Sequence, residues 1–230
     1  MFLLVICMIF TTPGNWQSRG IAVQNTWSRH CPRSVFFYSK SSANCPNHAI
    51  CNVSNSVGLD VPEGRDHLTG KTMQALKYCY KTFGSSADWY LKADDDVFIF
   101  FENLLEVLSW YNSTVPKYIG QTINTNIPKG YHSGGAGYVL SNASVTKMFE
   151  NSTQFARHCK GDGGIEDLDI GSCLSAFGIY PEDMRDAEGK LRFHSQNPLR
   201  VLNEPSTSNH RFINFSGTTF GNQNVSQQTN

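Results

Sequence analysis

The chain has 230 residues with 19 basic and 19 acidic side chains, so its formal net charge at pH 7 is zero. That balance, without a basic stripe, argues against nucleic acid or an anionic membrane surface as a partner. The hydrophobic share of 40% and aromatic share of 12% exclude a largely disordered chain and suffice for one sizeable globular domain.

The amino terminus, MFLLVICMIF, is an apolar run that ends in the turn TTPGN. Two interpretations are open: residues 3–11 form a buried first strand, or the run is a signal peptide. The run is too short for a membrane span, which takes about 20 residues, and it lacks a basic n-region and an A-x-A site. We favour the strand, in which case an upstream anchor and stem would be missing from this sequence.

Strands and helices alternate along the rest of the first two-thirds of the chain. Helical spacing of apolar residues predicts helices over 19–30, 65–83, 101–111 and 165–178, with another that begins near Asn142. Short apolar runs predict strands over 34–39, 58–62, 87–100 and 117–123, and polar residues 40–57 predict a loop. This alternation indicates an α/β domain over residues 1–202 with a mostly parallel sheet, followed by a polar tail over 203–230 that we expect to be poorly ordered.

Three consecutive aspartates, Asp94, Asp95 and Asp96, follow the apolar residues of a predicted strand. Burying like charges is costly, but a divalent cation makes such a cluster tolerable because Mg²⁺ and Mn²⁺ take oxygen ligands. In an extended segment Asp94 and Asp96 would face one side of the sheet. A D-x-D arrangement there could bind a metal that also holds phosphate, at the strand end where such sheets bind ligands. A solvated acidic turn is the alternative.

Cysteines and sequons indicate the compartment. The seven cysteines form no C-x-x-C pair, which argues against a zinc ribbon. Six N-x-S/T sequons, together with these cysteines, favour an oxidising and glycosylating lumen. The sequons lie at Asn52, Asn112, Asn142, Asn151, Asn214 and Asn224.

Five segments together resemble a known family. DWYLKADDDVF (88–98) resembles the donor-binding strand of glycosyltransferases with a GT-A fold. The other four resemble, in order and spacing, the fringe-like β1,3-glycosyltransferases, and most closely their core 1 galactosyltransferase branch. They are TWSRHC (26–31), VPEGRDHLTGKT (61–72), GYHSGGAGYVLS (130–141) and IEDLDIGSCL (165–174). The resemblance covers about residues 3 to 200 and implies a GT-A type α/β domain.

The resemblance also implies an activity. Enzymes of this branch transfer galactose from UDP-galactose to the 3-hydroxyl of GalNAc on serine or threonine of glycoproteins, with inversion at the anomeric carbon. It implies Mn²⁺ as the cation and the Golgi lumen as the location. The chain would be held there as a type II membrane protein by an anchor upstream of this sequence. A homodimer is compatible with the resemblance.

Particular residues carry the implied chemistry. Asp167 matches the family's catalytic base, and Glu166 would orient it; taken alone, the pair reads as two acids that begin a helix and favour its dipole. The expected Mn²⁺ ligands are Asp94, Asp96 and His194, because the site is rich in oxygen with a single imidazole.

Other residues are expected around the two sugars. The residues expected to contact the donor are Arg65, Lys71 and Asp95, although solvated helix charges remain an alternative for the two cations. The residues expected to shape the sugar pocket are Trp89, Tyr131, Gly134 and Gly135, where the glycines let the backbone approach a ligand closely.

The resemblance implies disulfides as well. Cys7 would pair with Cys31, and Cys159 with Cys173. Cys45 and Cys51 could pair locally within the inserted loop. Cys79 would then remain a thiol in the core.

Two departures from the family pattern keep other functions open. F-H-S-Q replaces the usual F-H-P, and no C-C-S-D motif follows it. A non-catalytic paralogue or chaperone within the family is one alternative, but it would predict a broken D-x-D, which this chain keeps. A fringe-like transfer of GlcNAc from UDP-GlcNAc to fucose is the other, because the residues do not reveal the donor sugar.

Overall fold

The computed structural model describes residues 3–43 and 47–197. The strands within these ranges are β1 (Val5–Phe10), β2 (Arg33–Ser39), β3 (Ser56–Leu59), β4 (Trp89–Asp94), β5 (Tyr118–Gly120), β6 (Thr122–Ile123), β7 (Tyr131–His132) and β8 (Tyr138–Ser141). The α-helices are α1 (Ile21–Asn25), α2 (Leu68–Phe83), α3 (Phe101–Ser109), α4 (Asn142–Glu150), α5 (Ser152–His158) and α6 (Glu166–Ala176). The tail predicted over 203–230 and the sequons at Asn214 and Asn224 lie outside the described residues.

Six strands form a sheet in the order β3-β2-β1-β4-β8-β5. β1 pairs in parallel with β2 and β4, and β2 pairs in parallel with β3. β8 runs antiparallel to both β4 and β5. The predicted mostly parallel sheet is therefore confirmed. β8 is the one strand of this sheet that runs in the opposite direction, because the glycine-rich turn before it places its first residue beside the end of β4.

Helices cover both faces of this sheet because its central strands are apolar on both sides, as buried parallel strands are. Ile6 and Met8 of β1 pack in the layer that contains α2, α4 and α6. Val5 and Ile9 pack in the opposite layer, with α1 and α3. Every residue of β1 is buried. Burying each such aliphatic side chain stabilises the fold by about 1.5–3 kcal/mol, and the strand interpretation of the amino terminus is confirmed.

Two predicted elements need correction, besides the strand predicted over 117–123, which divides into β5 of the main sheet and β6, which pairs with β7. Residues 19–30 do not form one helix: a π-helix (Trp16–Gly20) leads into α1, and a 3₁₀-helix (Trp27–His30) follows it. Gly20 lies where a Cβ would be 2.4 Å from the Trp16 ring, so the indole packs against bare backbone.

The second correction concerns the aspartates. The strand predicted over 87–100 ends at Asp94, where the Val97 N–H donates to the Asp94 carbonyl and closes a turn. The alternation that would have placed Asp94 and Asp96 on one face therefore does not apply, since it holds only for an extended chain.

Two of the disulfides implied by the resemblance are present, Cys7–Cys31 and Cys159–Cys173. The third includes Cys45, which lies outside the described residues. Cys79 is a buried free thiol, and burial raises its pKa far above the usual value, so it stays a neutral core side chain. No helix in the described part of the chain combines the length and apolar character that crossing a bilayer requires.

Candidate functional site

The aspartate triplet lies at the carboxyl edge of the sheet, where parallel sheets bind ligands. β1 and β4 end side by side there, with Phe10 opposite Asp94. Asp94 is half-buried, Asp95 is buried and Asp96 is exposed. Each of the three carboxylates therefore has a different environment, although they are adjacent in sequence.

Asp95 joins the ends of two strands. Its Oδ2 accepts a hydrogen bond of 2.7 Å from the Thr11 hydroxyl, just after β1. Arg19 Nη1 lies 3.6 Å from Asp95 Oδ1 and 3.2 Å from Asp96 Oδ2. Asp95 thus faces the end of β1, whereas Asp96, with 61% of its side chain exposed, is the outermost carboxylate.

A buried lysine links the triplet to the acid pair. Lys92 of β4 places its Nζ 2.8 Å from Asp94 Oδ1, 3.2 Å from the Gly134 carbonyl oxygen and 3.9 Å from Glu166 Oε2. Burial alone would lower the pKa of Lys92, but the carboxylates of Asp94 and Glu166 outweigh it and the net effect is a raised pKa. Lys92 is therefore a buried ammonium that joins two elements of the site. Sequence reasoning missed it, although a lysine within a buried strand is itself a signal.

The two acids at the start of α6 differ in exposure. Glu166 is buried, and the Tyr138 hydroxyl donates to its Oε1 at 2.7 Å. Burial raises the pKa of Glu166, and the opposing effects of Lys92 and Tyr138 do not cancel that increase. Asp167 is half-buried, accepting from the Gly134 N–H at 3.0 Å and from the Leu168 N–H at 2.9 Å. Only Asp167 of this pair therefore has an accessible side toward solvent.

The glycine-rich turn before β8 lets these groups meet. A Cβ on Gly134 would lie 2.7 Å from Glu166 Oε2, so a side chain there would displace the carboxylate. Gly137 has a φ of +71°, and a Cβ there would lie 3.0 Å from the Lys92 carbonyl oxygen. The turn therefore requires glycine at both positions, for close approach at one and for backbone conformation at the other.

The segment that contains His194 reaches the same turn. The Ser195 N–H donates to Gln121 Oε1 at 2.8 Å, and Ser195 Cβ lies 3.9 Å from where a Cβ of Gly135 would be. His194 itself is exposed. The structure thus brings the predicted histidine segment beside Gly135, next to the glycine that contacts Lys92 and Asp167.

Of the three predicted donor contacts, Asp95 belongs to this cluster, whereas Arg65 lies just before α2 and Lys71 lies near its start. Lys71 is buried in α2, and its Nζ donates to Glu63 Oε1 at 2.8 Å. Arg65 is exposed in a short 3₁₀-helix (Arg65–His67) just before α2. The alternative of a solvated helix charge therefore fails for Lys71, which is buried, and remains open for Arg65, which is exposed in a helical turn that leads into α2.

The two aromatic residues predicted for the sugar pocket are both buried. Tyr131 of β7 packs against α6, where a Cβ on Gly171 would lie 2.3 Å from its own Cβ. Trp89 is wholly buried at the first position of β4, the end of the strand opposite the triplet. Including Trp89 in the pocket was therefore wrong, because it is a core residue.

The fit of a cation depends on how many ligands it needs. Among residues 3–43 and 47–197, no group of three His, Cys, Asp or Glu side chains could hold a metal ion. Asp94, Asp96 and His194 are thus not assembled as a three-ligand site. A cation bound to a nucleotide diphosphate needs only one or two carboxylates, with phosphate oxygens and water completing its shell. Half-buried Asp94 and exposed Asp96 fit that smaller requirement in donor type and number.

The loop before α6, residues 159–165, is fastened to the start of α2. Asp162 accepts from the Gly70 N–H at 3.2 Å and lies 2.7 Å from His67 Nδ1. An acid at that position also complements the dipole of α2. Asp169 of α6 accepts from the Thr69 hydroxyl at 2.8 Å. These contacts fix the position from which Glu166 and Asp167 begin α6, and sequence spacing gave no sign of them.

Comparison with known proteins gives several matches. The family model described as Fringe-like matches residues 5–229. Glycoprotein-N-acetylgalactosamine 3-beta-galactosyltransferase 1 of Xenopus laevis is 36% identical over 198 residues, which are 86% of this chain and 52% of that protein. Mouse chondroitin sulfate synthase 3 is 28% identical over 174 residues, 70% of this chain and 19% of that protein. Mouse beta-1,3-glucosyltransferase is 23% identical over 200 residues, 78% of this chain and 38% of that protein. The chain thus spans about half the length of the Xenopus relative and less of the other two.

Proposed function

The chain belongs to the Fringe-like family, and from this we propose that it is an inverting β1,3-galactosyltransferase. Its reaction would move galactose from UDP-galactose to the 3-hydroxyl of GalNAc on serine or threonine of a glycoprotein. The name of the Xenopus relative supports this donor sugar and this acceptor. The structural observation that carries the proposal is the meeting of the aspartate triplet and the acid pair, through Lys92 and Gly134, at one edge of the sheet.

Asp167 is the proposed base. Its carboxylate would take the proton from the acceptor hydroxyl as that oxygen attacks the anomeric carbon of galactose and the bond to UDP breaks. Attack opposite the leaving group inverts the anomeric centre. Backbone hydrogen bonds from Gly134 and Leu168 hold Asp167 in place, which is the positioning that such a displacement requires. Glu166, buried against Lys92 and Tyr138, supports Asp167 from behind rather than reaching the substrate.

We propose Asp94 and Asp96 as the cation ligands and Mn²⁺ as the ion; His194 is left out of this assignment because the described residues do not assemble it with the two aspartates into one site. A cation there would stabilise the negative charge on the departing diphosphate. The proposed donor contacts are Arg65, Lys71 and Asp95. Gly134, Gly135 and Tyr131 are proposed to shape the sugar pocket.

The cellular setting is also part of the proposal. The two disulfides fit an oxidising compartment, and the names of the relatives fit glycosylation in the secretory pathway. We propose the Golgi lumen as the location, and a homodimer as the form to test first.

The test is a transfer assay on residues 1–230 secreted from a eukaryotic host. It measures UDP release and product mass with UDP-galactose, Mn²⁺ and a GalNAc-serine or GalNAc-threonine acceptor. We expect Asp167→Asn to lower kcat by about 10²–10⁴ and Asp96→Ala or a chelator to abolish product. Glu150→Gln, an exposed carboxylate at the end of α4, is the matched control. A folded protein that binds UDP with Mn²⁺ and yields no product with any donor would refute the enzyme proposal in favour of a non-catalytic role.

The donor sugar needs its own test. The similarity to a glucosyltransferase and a chondroitin synthase motivates a panel of UDP-glucose, UDP-GlcNAc and UDP-glucuronic acid beside UDP-galactose. Transfer from UDP-GlcNAc to a fucosyl acceptor would favour the fringe-like alternative. A preference for UDP-galactose with the GalNAc acceptor would support the function proposed here.

A further inference from the structure

The sequons differ in what the fold does with them. An N-linked glycan needs an asparagine whose amide nitrogen reaches solvent, followed two positions later by a hydroxyl residue. Four of the six sequons fall within the described residues: Asn52, Asn112, Asn142 and Asn151. Asn112 and Asn142 have opposite environments, and the comparison between them indicates which sequon can be modified.

Asn112 lies in an exposed turn between α3 and β5. Its amide Oδ1 accepts hydrogen bonds from the Thr114 N–H at 2.9 Å and the Thr114 hydroxyl at 2.8 Å. The hydroxyl of the sequon threonine therefore already contacts the asparagine amide, as in an Asx-turn. Within the described residues, Asn112 Nδ2 donates no hydrogen bond. The amide nitrogen that would receive the sugar therefore lies at the surface and is not engaged in a hydrogen bond with any described residue.

Asn142 is the opposite case. It begins α4, and its Nδ2 donates to the Gly84 carbonyl oxygen at 2.7 Å. The serine of its sequon, Ser144, is wholly buried, and its hydroxyl donates to the Lys117 carbonyl oxygen at 2.9 Å. A glycan on Asn142 would break the bond to Gly84 and force a polar sugar against packed backbone. A chain modified there could not form this arrangement.

The turn with Asn112 is hydrogen-bonded to Asp88 and Ala143, far from the proposed active site. The Ser113 hydroxyl donates to Asp88 Oδ1 at 3.1 Å, and the Ala143 N–H donates to the Ser113 carbonyl at 3.1 Å. Asp88 precedes β4, whereas Asp94 ends it. Six residues of strand separate them by roughly 20 Å, so a glycan at Asn112 would leave the carboxyl edge of the sheet open.

We propose that the chain is N-glycosylated at Asn112 and not at Asn142. The Asn112 amide nitrogen would attack the anomeric carbon of the first sugar of a lipid diphosphate-linked oligosaccharide supplied by the host. The nitrogen–carbon bond forms, the bond from that carbon to the diphosphate oxygen breaks, and the amide proton passes to a base of the host transferase. The lipid diphosphate leaves, and a neutral, soluble sugar covers the turn.

Site occupancy measured on the secreted wild-type chain tests the proposal. A peptide-N-glycosidase in heavy-oxygen water converts each glycosylated asparagine to a labelled aspartate, which peptide mass spectrometry locates. We expect label at position 112 and unmodified asparagine at position 142. Recovery of the Asn112 peptide without label, or any label at position 142, would overturn the proposal.

Two variants at the third position of the sequon provide the matched pair. Thr114→Ala removes the hydroxyl that the modification requires and should abolish the label at position 112. Thr114→Ser keeps a hydroxyl and should retain it. If Thr114→Ala kept the label, the assignment to this sequon would be wrong. The readout is peptide mass, so its outcome does not depend on whether the chain transfers galactose.

Discussion

Replacing Lys92 with methionine should destabilise the protein strongly, because it leaves two carboxylates without their buried counter-charge. The Lys92 side chain is 5% exposed, and its partners Asp94 and Glu166 are 35% and 7% exposed. Methionine is similar in length and can fill the space of the lysine stem. The variant therefore tests the charge more than the packing.

The expected loss is about 3 kcal/mol in the free energy of unfolding. Removing one partner of a buried ion pair costs about 3–5 kcal/mol. The lower end applies because Asp94 is about one-third exposed and water screens part of its charge. For a domain of this size, that loss lowers the melting temperature by roughly 6–12 °C.

Lys117→Met is the matched control. The Lys117–Glu182 pair has the same nitrogen–oxygen distance of 2.8 Å as Lys92–Asp94, but its side chains are 25% and 30% exposed. Its removal should cost at most about 1 kcal/mol. Urea unfolding of both variants with disulfides intact measures the difference. A loss for Lys92→Met no larger than for Lys117→Met would refute the reasoning.

A double variant separates two effects of removing Lys92: the loss of its attraction to the carboxylates, and the cost of leaving the Glu166 charge buried without a partner. Glu166→Gln keeps an acceptor for the Tyr138 hydroxyl but removes one of the two charges near Lys92. Added to Lys92→Met, it should recover about 1–2 kcal/mol, since neighbouring sites that share a partner are not additive. Strict additivity of the two losses would show that the charges of Lys92 and Glu166 are not coupled, and that any electrostatic role of Lys92 acts through Asp94.

Three further outcomes follow from the structure. Burial lowers the pKa of His132 to about 4. The His132 imidazole therefore becomes protonated near pH 6.5 in the unfolded chain but only near pH 4 in the folded chain. Stability is therefore full above pH 6.5 and falls by roughly 3 kcal/mol as the pH drops through that window; urea unfolding at several pH values should show this slope in the wild type and not in His132→Gln. Replacing Cys159 and Cys173 with alanine opens a crosslink of sequence separation 14 and should cost about 3 kcal/mol by the same measurement, which a loss below 1 kcal/mol would contradict. Asp162→Ala should speed hydrogen exchange at the Gly70 amide while a distant control amide in β1 stays protected, because Asp162 accepts from that N–H.

Most of the sheet could be predicted from the sequence because its signals are local. β1 is a contiguous apolar run whose six residues are all buried. α3 begins at Phe101, the first residue of the predicted helix, because the apolar periodicity of the segment matches the helix period. Such elements bury a stripe or a whole strand, and the order of residue types is then enough to identify them.

Other elements depend on contacts between distant parts of the chain, which no local pattern records. The chain turns after Asp94, and Trp27 Nε1 donates to the Val97 carbonyl oxygen at 2.9 Å across 70 positions of sequence. The Thr11 hydroxyl reaches Asp95 across 84 positions. A strand reading over 87–100 could not anticipate any of these anchors.

The candidate site divides in the same way. Adjacent acids and the D-D-D run are visible in sequence, and the resemblance assigned them roles. The division of labour between Glu166 and Asp167 is not visible, because it depends on which of them faces Lys92 and Tyr138. Lys92 can be recognised as part of the site only from its hydrogen bond to the Gly134 carbonyl, 42 positions away in sequence. From the sequence alone it would be taken for an isolated buried charge.

The three adjacent carboxylates are compatible with the fold for a physical reason that separates stability from cation binding. Asp94 pairs with Lys92, Asp95 with the Thr11 hydroxyl and Arg19, and Asp96 with Arg19 and solvent. Every carboxylate of the triplet thus has a compensating partner within the chain itself. A chelator should therefore leave the urea midpoint of the protein unchanged while it abolishes the proposed transfer. If the chelator lowered the midpoint as well, the cation would be part of what balances the triplet, and the chain's own pairings would be insufficient.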